Sequence, residues 1–440
     1  MRDGALRRAM ALVRRPEVMY LAATALARAG SILLVPLYGR RLSVAEFGDY
    51  SLAQSILLLL PHLLNLSTTS AVYRFFFDDA GPVVGGRRAA AASRLAVLLS
   101  GSLGALLAIG AWLGRPATPG LFGRWGLLCV VIASASAVWA SIPPLYLQAA
   151  QRPIAASAFQ ILQLALTLGS GAVLVGVADR GLVGSLEALA VTYGFGGLVA
   201  LVFIFRLPAD PLDRPFVLRT LKFSFPFLPH LAANNVSSAA DRWVLKAYRA
   251  EQQLGSYAIS AQILGPTNMI LQAWNDAESA RLGEVRRAGG VRGVRDAFWR
   301  FALRSAAAAA IPGLGTIALL PVARFLVGAK LGAQLHGGFV AILVATQIVD
   351  AIYFPAMNSL YFLDRTRLIP LCTVPAAFLN PALCALLIPS LGIWGVGVSR
   401  LCTALFRSGT LVAVARYVMR EALRDEPHGS SPPTPPAPTR

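Results

Sequence analysis

Apolar residues in this chain neither alternate nor keep to one helical face; they run on in blocks of about twenty, separated by short polar breaks. Twelve blocks stand out, at about 17–37, 50–73, 95–114, 124–148, 154–177, 183–206, 221–241, 255–275, 301–321, 337–361, 368–388 and 392–415. A membrane-crossing helix needs roughly 20 apolar residues. The pattern therefore predicts an all-α integral membrane protein of about twelve transmembrane helices. The first block follows charged residues but continues as a full span, and no small-residue cleavage site stands out after it, so it reads as a helix rather than a cleaved leader. Prolines recur inside the blocks, among them Pro36, Pro61, Pro143, Pro144, Pro226, Pro229, Pro266, Pro312, Pro355 and Pro375. Each removes a backbone donor and bends a helix unless neighbours satisfy the freed groups. So many kinks suit helices that move, although proline is common in membrane helices generally.

The segmentation gives a cytoplasmic N-terminal stretch (1–16), a six-helix lobe (17–206), a cytoplasmic linker (207–220), a second six-helix lobe (221–415) and a Pro/Ser-rich tail (416–440) expected to be disordered. Composition agrees with the membrane reading. Hydrophobic residues make up 56% of the 440 and charged residues 14%, where a soluble chain carries about 25% charged. A soluble enzyme, a disordered chain and a disulfide scaffold are excluded on that ground. Cys129, Cys372, Cys384 and Cys402 all lie in apolar stretches without a CxxC pair, as buried free thiols do.

The net charge of +19 first suggests nucleic acid, but its placement says otherwise. With the N-terminus in the cytoplasm and alternating spans, 26 of the 40 Arg/Lys fall on the cytoplasmic side, ten fall outside, and Arg28, Arg74, Arg400 and Arg407 lie in or at the ends of spans. That asymmetry is the positive-inside rule. It places both termini in the cytoplasm and leaves no need for a nucleic-acid partner.

The chain also repeats itself. FGDYSLAQSIL (47–57) aligns with LGSYAISAQIL (254–264) at an offset of 207, pairing Gly48 with Gly255 and Tyr50 with Tyr257. The same offset carries Arg74 onto Arg281 and Arg28 onto Asn235. GLVGS (181–185) echoes GIWGV (392–396) at an offset of 211. The offset covers an even number of spans, so the two lobes are expected to be parallel repeats.

Little catalytic chemistry is present. Lys222, Lys246 and Lys330, the three lysines, precede Phe, Ala and Leu, so no phosphate-binding GxxxxGK[ST] loop exists. His62, His230, His336 and His428 form no HExxH pair, and no serine has the GxSxG setting. No cofactor or metal site is expected, and the chain does not read as an enzyme; a membrane glycan-processing enzyme would want sizeable outer loops, whereas the longest polar loop expected here, about 278–297, is cytoplasmic and rich in arginine. Charged residues inside spans are costly and face a cavity or a partner. Arg28 either meets an anion in a central cavity or pairs with an acid on another helix such as Asp350. Asp350 could equally serve a coupling ion. Asp241 and Arg242 end the seventh span, either as coupling or paired groups or as snorkelling side chains. Asn234 and Asn235 sit in that span, where helix-to-helix hydrogen bonding is the plain alternative to a cavity role.

RAGSILLVPLYGRRLSVAEFGDYSLAQSI resembles the first-helix signature of the Wzx-type polysaccharide-biosynthesis flippases of the multidrug/oligosaccharidyl-lipid/polysaccharide (MOP) superfamily. The matching positions are Arg28, Pro36, Arg40 or Arg41, Leu42, Ser43, Glu46, Phe47, Gly48 and Tyr50. Residues 221–245, 254–263 and the GIWGVGVS entry to the last helix add diffuse similarity. The resemblance implies two parallel six-helix lobes around a central cavity, in the bacterial plasma membrane. It implies a polyprenyl-pyrophosphate-linked oligosaccharide as cargo, turned outward for O-antigen, capsule or exopolysaccharide synthesis, with membrane lipids and the polysaccharide polymerase and chain-length machinery as partners. Arginine's planar fork suits pyrophosphate, so Arg28, Arg74, Arg281 and Arg400, with Asn235, are the candidate cavity residues. A drug/cation antiporter and a lipid II flippase of the same superfamily are the alternatives. The first would want acids in the cavity, and the second usually carries fourteen spans.

Overall fold

The computed structural model describes residues 33–425 apart from 78–81, 115–121, 226, 249, 364 and 366. It is all-helical, with no strand among the described residues. Eight helices are long and apolar enough to cross a membrane, and a bent pair would make nine. These nine coincide with the expected second to sixth and ninth to twelfth spans. Arg28 and most of the first span lie outside the described residues.

Helix α1 (Val35–Arg41) is the end of that first span, with Pro36 in its first turn, where a missing N–H costs nothing. Helix α2 (Val44–Leu64) starts on a capping box: the Ser43 hydroxyl accepts from the Glu46 amide at 3.2 Å, and the Glu46 carboxylate accepts from the Ser43 amide at 2.8 Å. The expected single span 50–73 is broken. Leu66 and Ser67 adopt left-handed backbone, and α3 (Thr69–Phe76) leaves at 60° to α2. Helices α4 (Pro82–Leu113), α5 (Gly123–Ala149), α6 (Pro153–Gly171, prolonged by a π-helical turn over Ala172–Val177) and α7 (Gly181–Arg206) follow. Prolines 143 and 144 sit inside α5 without ending it.

Residues 221–241 do not form one span. Asp213 caps α8 (Arg214–Ser224) by accepting from the Phe216 amide at 2.9 Å, and α9 (Phe227–Ala247) is a separate helix. Helix α10 (Glu251–Ile263) hands over to α11 (Gly265–Ala318). The arginine-rich stretch 278–297, expected to be a polar loop, is helical instead, interrupted only where Gly290 takes φ 60°. Short helices α12 (Leu320–Val327) and α13 (Ala329–Gly332) precede α14 (Gly337–Phe362), α15 (Leu368–Leu391) and α16 (Ile393–Asp425). Helix α16 continues ten residues into the stretch expected to be disordered tail. The reason is an apolar stripe at helical spacing: Leu411, Ala415, Val418 and Met419 are buried with Leu282, Val294 and Phe298.

The helices form two compact units. One comprises Met1–Gln262 with Val322–Leu335, the other Ile263–Pro321 with the chain from His336 onward. The units do not follow the two halves of the sequence repeat, because α9, α10 and the 322–335 segment pack with the first-half helices. Gly39 admits no side chain beside the Val327 carbonyl, and the Glu46 carboxylate accepts from the Leu182 amide at 3.4 Å.

Candidate functional site

In the first unit the start of α2 meets the end of α9 and the start of α10. This is where the repeat touches itself. Gly48 and Gly255, paired by the 207-residue offset, lie against each other, so that a Cβ on Gly48 would come within 2.9 Å of the Gly255 amide nitrogen. Equivalent residues of two parallel repeats meet only near the axis relating them. Around these glycines runs a polar network. Lys246 binds Asp49 at 2.7 Å and Glu251 at 3.2 Å. The Arg242 guanidinium donates to the Ser51 hydroxyl at 2.8 Å and stands 5.4 Å from the centre of the Tyr257 ring. Tyr257 donates to the fully buried Asp241 carboxylate, and Ser256 donates to Gln334 at 2.6 Å. Asp241 and Arg242 are thus network members rather than side chains reaching to the interface. Asn235 is half-buried on α9, seven residues before Arg242 and so on the same face.

The two arginines matched by the repeat lie at different points of their helices, Arg74 at the end of α3 and Arg281 inside α11. Arg74, in the last turn of α3, is exposed, its guanidinium carbon 4.3 Å above the Phe223 ring. Arg281, in the second unit, keeps 58% of its side chain exposed and pairs with Glu278 at 2.8 Å. Arg400 is half-buried on α16, and Arg407 lies seven residues on along the same face. Asp350 on α14 pairs with Arg407 at 2.7 Å, and the guanidinium also covers the Tyr353 ring at 5.0 Å. The acid considered as a partner for Arg28 therefore has another arginine.

Two further groupings escaped the sequence reading. In the first unit Glu187 accepts from Trp125 at 2.8 Å and pairs with Arg180 at 2.7 Å. In the second, Asn275, Glu278, Ser305 and Asn358 share a small cavity. Contacts 62 or 80 residues apart leave no local trace, although the spacing of Asn275 and Glu278 does place them on one helical face. No cluster of three His, Cys, Asp or Glu fit for a metal occurs among the described residues.

No protein-family model and no curated protein matches the sequence. Solved structures do. An inward-facing multidrug-resistance MATE family transporter of the MOP superfamily matches with a TM-score of 0.72 at 12% identity, over 91% of this chain and 96% of that one. An outward-facing MATE family transporter of the same superfamily gives 0.63 at 13%, over 93% and 96%. A MOP superfamily transporter from Pyrococcus furiosus, whose binding pocket has reversed polarity suggesting a different function, gives 0.61 at 13%, over 94% and 98%. The chain therefore has the fold of MOP-superfamily transporters over nearly its whole length. At these identities the likeness speaks for the fold.

Proposed function

We propose that the chain is a flippase that turns polyprenyl-pyrophosphate-linked oligosaccharide from the inner to the outer leaflet of the bacterial plasma membrane, for O-antigen, capsule or exopolysaccharide synthesis. The transporter fold supports transport, and the signature around residues 28–50 supports the lipid-linked glycan. The observation that carries the choice of cargo is the state of the charges. Glu187, Asp241, Glu278 and Asp350 are already engaged by Arg180, Tyr257, Arg281 and Arg407. A cationic drug would need an acid to replace its hydration. Arg74 instead offers an exposed guanidinium stacked on Phe223, and Arg281 keeps 58% of its side chain exposed even while it pairs with Glu278. A pyrophosphate arriving at the membrane surface is the dense anion such groups recognise. Coupling to the polymerase and chain-length machinery belongs to the same reading.

Purified protein in liposomes containing a fluorescent polyprenyl-pyrophosphate oligosaccharide is expected to expose that lipid to an impermeant quencher, with no acceleration of ethidium efflux. In a strain lacking its own flippase, expression should restore surface glycan, and Arg74→Ala with Arg281→Ala should cut that restoration at least tenfold, as lost charged hydrogen bonds do at roughly 1.5–3 kcal/mol each. Restored drug resistance without restored glycan would instead favour the antiporter reading.

The charge distribution also supports an orientation with both termini in the cytoplasm. An alkaline phosphatase reporter, active only outside the membrane, is expected to be silent when fused after residue 425 and active when inserted between Asp179 and Arg180. The reverse pattern would overturn the placement of both termini in the cytoplasm.

A further inference from the structure

A tryptophan stands on the surface of the second unit, at the end that the charge distribution supports as cytoplasmic. Trp299 on α11 is 50% exposed, although its neighbour Phe298 is buried. The Arg416 guanidinium of α16 lies 5.8 Å from the centre of the Trp299 ring. Beneath this pair the two helices share one core, in which Val294 and Phe298 of α11 join Ala415, Val418 and Met419 of α16. The seam between the helices is therefore fixed from below, with Trp299 and Arg416 on its outer side. Along α11 the face that bears Trp299 changes character. One turn toward the apolar part of the span is Leu303, 69% exposed. One and two turns the other way are Arg295 and Arg292, both exposed. On α16, Arg420 lies one turn beyond Arg416 on the same face and is exposed as well. Apolar residues on one side, arginines on the other and an indole between them match the cross-section of a membrane interface.

We propose that this seam holds a phospholipid with two phosphates, of the cardiolipin class. One phosphate meets Arg416 and Arg420 of α16, the other meets Arg292 and Arg295 of α11, and the acyl chains run down past Leu303. Guanidinium donors suit phosphate oxygens through their planar fork, and basic clefts between helices on the cytoplasmic side are where such headgroups settle. The charges select two phosphates over one. Asp296 is the acid on these two faces, 2.8 Å from the Arg295 guanidinium, so four arginines outnumber it and keep a surplus that a single phosphate would not balance. The arginines also come as one pair on each helix, and a lipid with a single phosphate satisfies one pair only. An acidic protein surface would answer the arginines but would leave the exposed Leu303 and the half-exposed indole without a partner, whereas acyl chains cover both.

The test is native mass spectrometry of purified full-length protein, stripped of lipid in detergent and titrated with cardiolipin, phosphatidylglycerol or phosphatidylethanolamine. The melting temperature without lipid checks folding. One cardiolipin per chain is expected to bind roughly tenfold more tightly than phosphatidylglycerol, because its second phosphate is already tethered beside the second arginine pair. Arg416→Ala with Arg420→Ala should weaken cardiolipin roughly twentyfold, at about fivefold for each arginine, and Trp299→Leu should weaken it several-fold. Arg214→Ala with Arg219→Ala removes the same charge from exposed positions of the first unit and should leave the affinity unchanged. Folded wild type without preference for cardiolipin overturns the site. So does equal weakening in the Arg214 and Arg219 variant, which would make the attraction one of bulk charge. Unchanged affinity in the α16 variant overturns it too, and the arginines then face an acidic protein surface. Should that variant fail to fold, Arg292→Ala with Arg295→Ala decides, and unchanged affinity there overturns the site. Displacement of cardiolipin by an equal concentration of polyprenyl pyrophosphate would give the seam to the cargo instead. Because no transport enters the measurement, cardiolipin held by a protein that moves no lipid-linked oligosaccharide would remove the flippase reading and leave the site standing.

Discussion

Gly255→Ala is expected to leave no stably folded protein. A Cβ at that position falls on the Val44 carbonyl oxygen, 2.8 Å from the carbonyl carbon and 2.6 Å from the Val44 Cγ1. The obstacle is mostly backbone, at the first residue of α2, and that residue follows the Ser43 cap of the helix. A flexible side chain can swing away from such an intrusion; a capped helix start cannot do so without separating α2 from α10. Overpacking of ordinary cores costs roughly 1–3 kcal/mol, and a clash against backbone belongs above that range. Set against a total stability of about 5–15 kcal/mol, the loss should appear as aggregation or a melting temperature lowered by tens of degrees in fluorescence-detected size-exclusion assays. Gly48→Ala, whose Cβ would sit 2.9 Å from the Gly255 nitrogen, should destabilise less. Gly110→Ala and Gly409→Ala, with no atom within 4 Å, should be silent. Gly255→Ala melting like the wild type would show that the two repeat helices do not meet at their glycines.

Much of the fold was legible because hydrophobic blocks of span length are a local property. Hydropathy located the second to sixth and ninth to twelfth spans to within about a turn at most of their ends, the ends being where helices also recruit polar residues. It failed where conformation depends on a few residues or on distant contacts. Nothing in NLSTTS (65–70) announces that Leu66 and Ser67 turn left-handed and bend the second span. The 278–297 stretch looked like a loop because arginine dominates its composition, yet Val291, Val294, Ala297 and Phe298 recur at helical spacing and bury one face. The motif at 43–50 was legible as a pattern, and its physics became visible only in three dimensions. Ser43 and Glu46 cap α2, Gly48 permits the approach of α10, and Tyr50 packs edge-on to Tyr38 at 5.0 Å. These positions of the signature answer to architecture, whereas Arg28 lies outside the described residues. For the candidate charges, sequence named Asp350, Asp241 and Arg242 but not what holds them, since Arg407 and Ser51 are 57 and 191 residues away in the chain.

Arg28→Ala is expected to abolish surface glycan while the protein remains at normal level in the membrane. Arg28 lies outside the described residues, so the case rests on its place in the chain and on what its potential partners do elsewhere. Eight residues before Pro36, it is expected from the sequence near the middle of the first span, at a helical rise of about 1.5 Å per residue, where a lone guanidinium is costly and needs a partner, water or a ligand. The structural alternative supplied Asp350, but that carboxylate is held by Arg407 at 2.7 Å. The repeat places Asn235, an uncharged amide, at the matching point of the second half, so the symmetry of the fold does not itself demand a cation there. On the proposed flippase function, a pyrophosphate does. Arg28→Lys keeps the charge and loses the bidentate fork, so partial export should survive. Arg407→Ala makes the opposite signature: it strands the half-buried Asp350 and should lower abundance first, by the cost of a lost partner, with export falling only in proportion. Complementation of a flippase-deficient strain, scored together with membrane protein level, separates the two. Full glycan export by well-expressed Arg28→Ala would remove Arg28 from the path of the cargo.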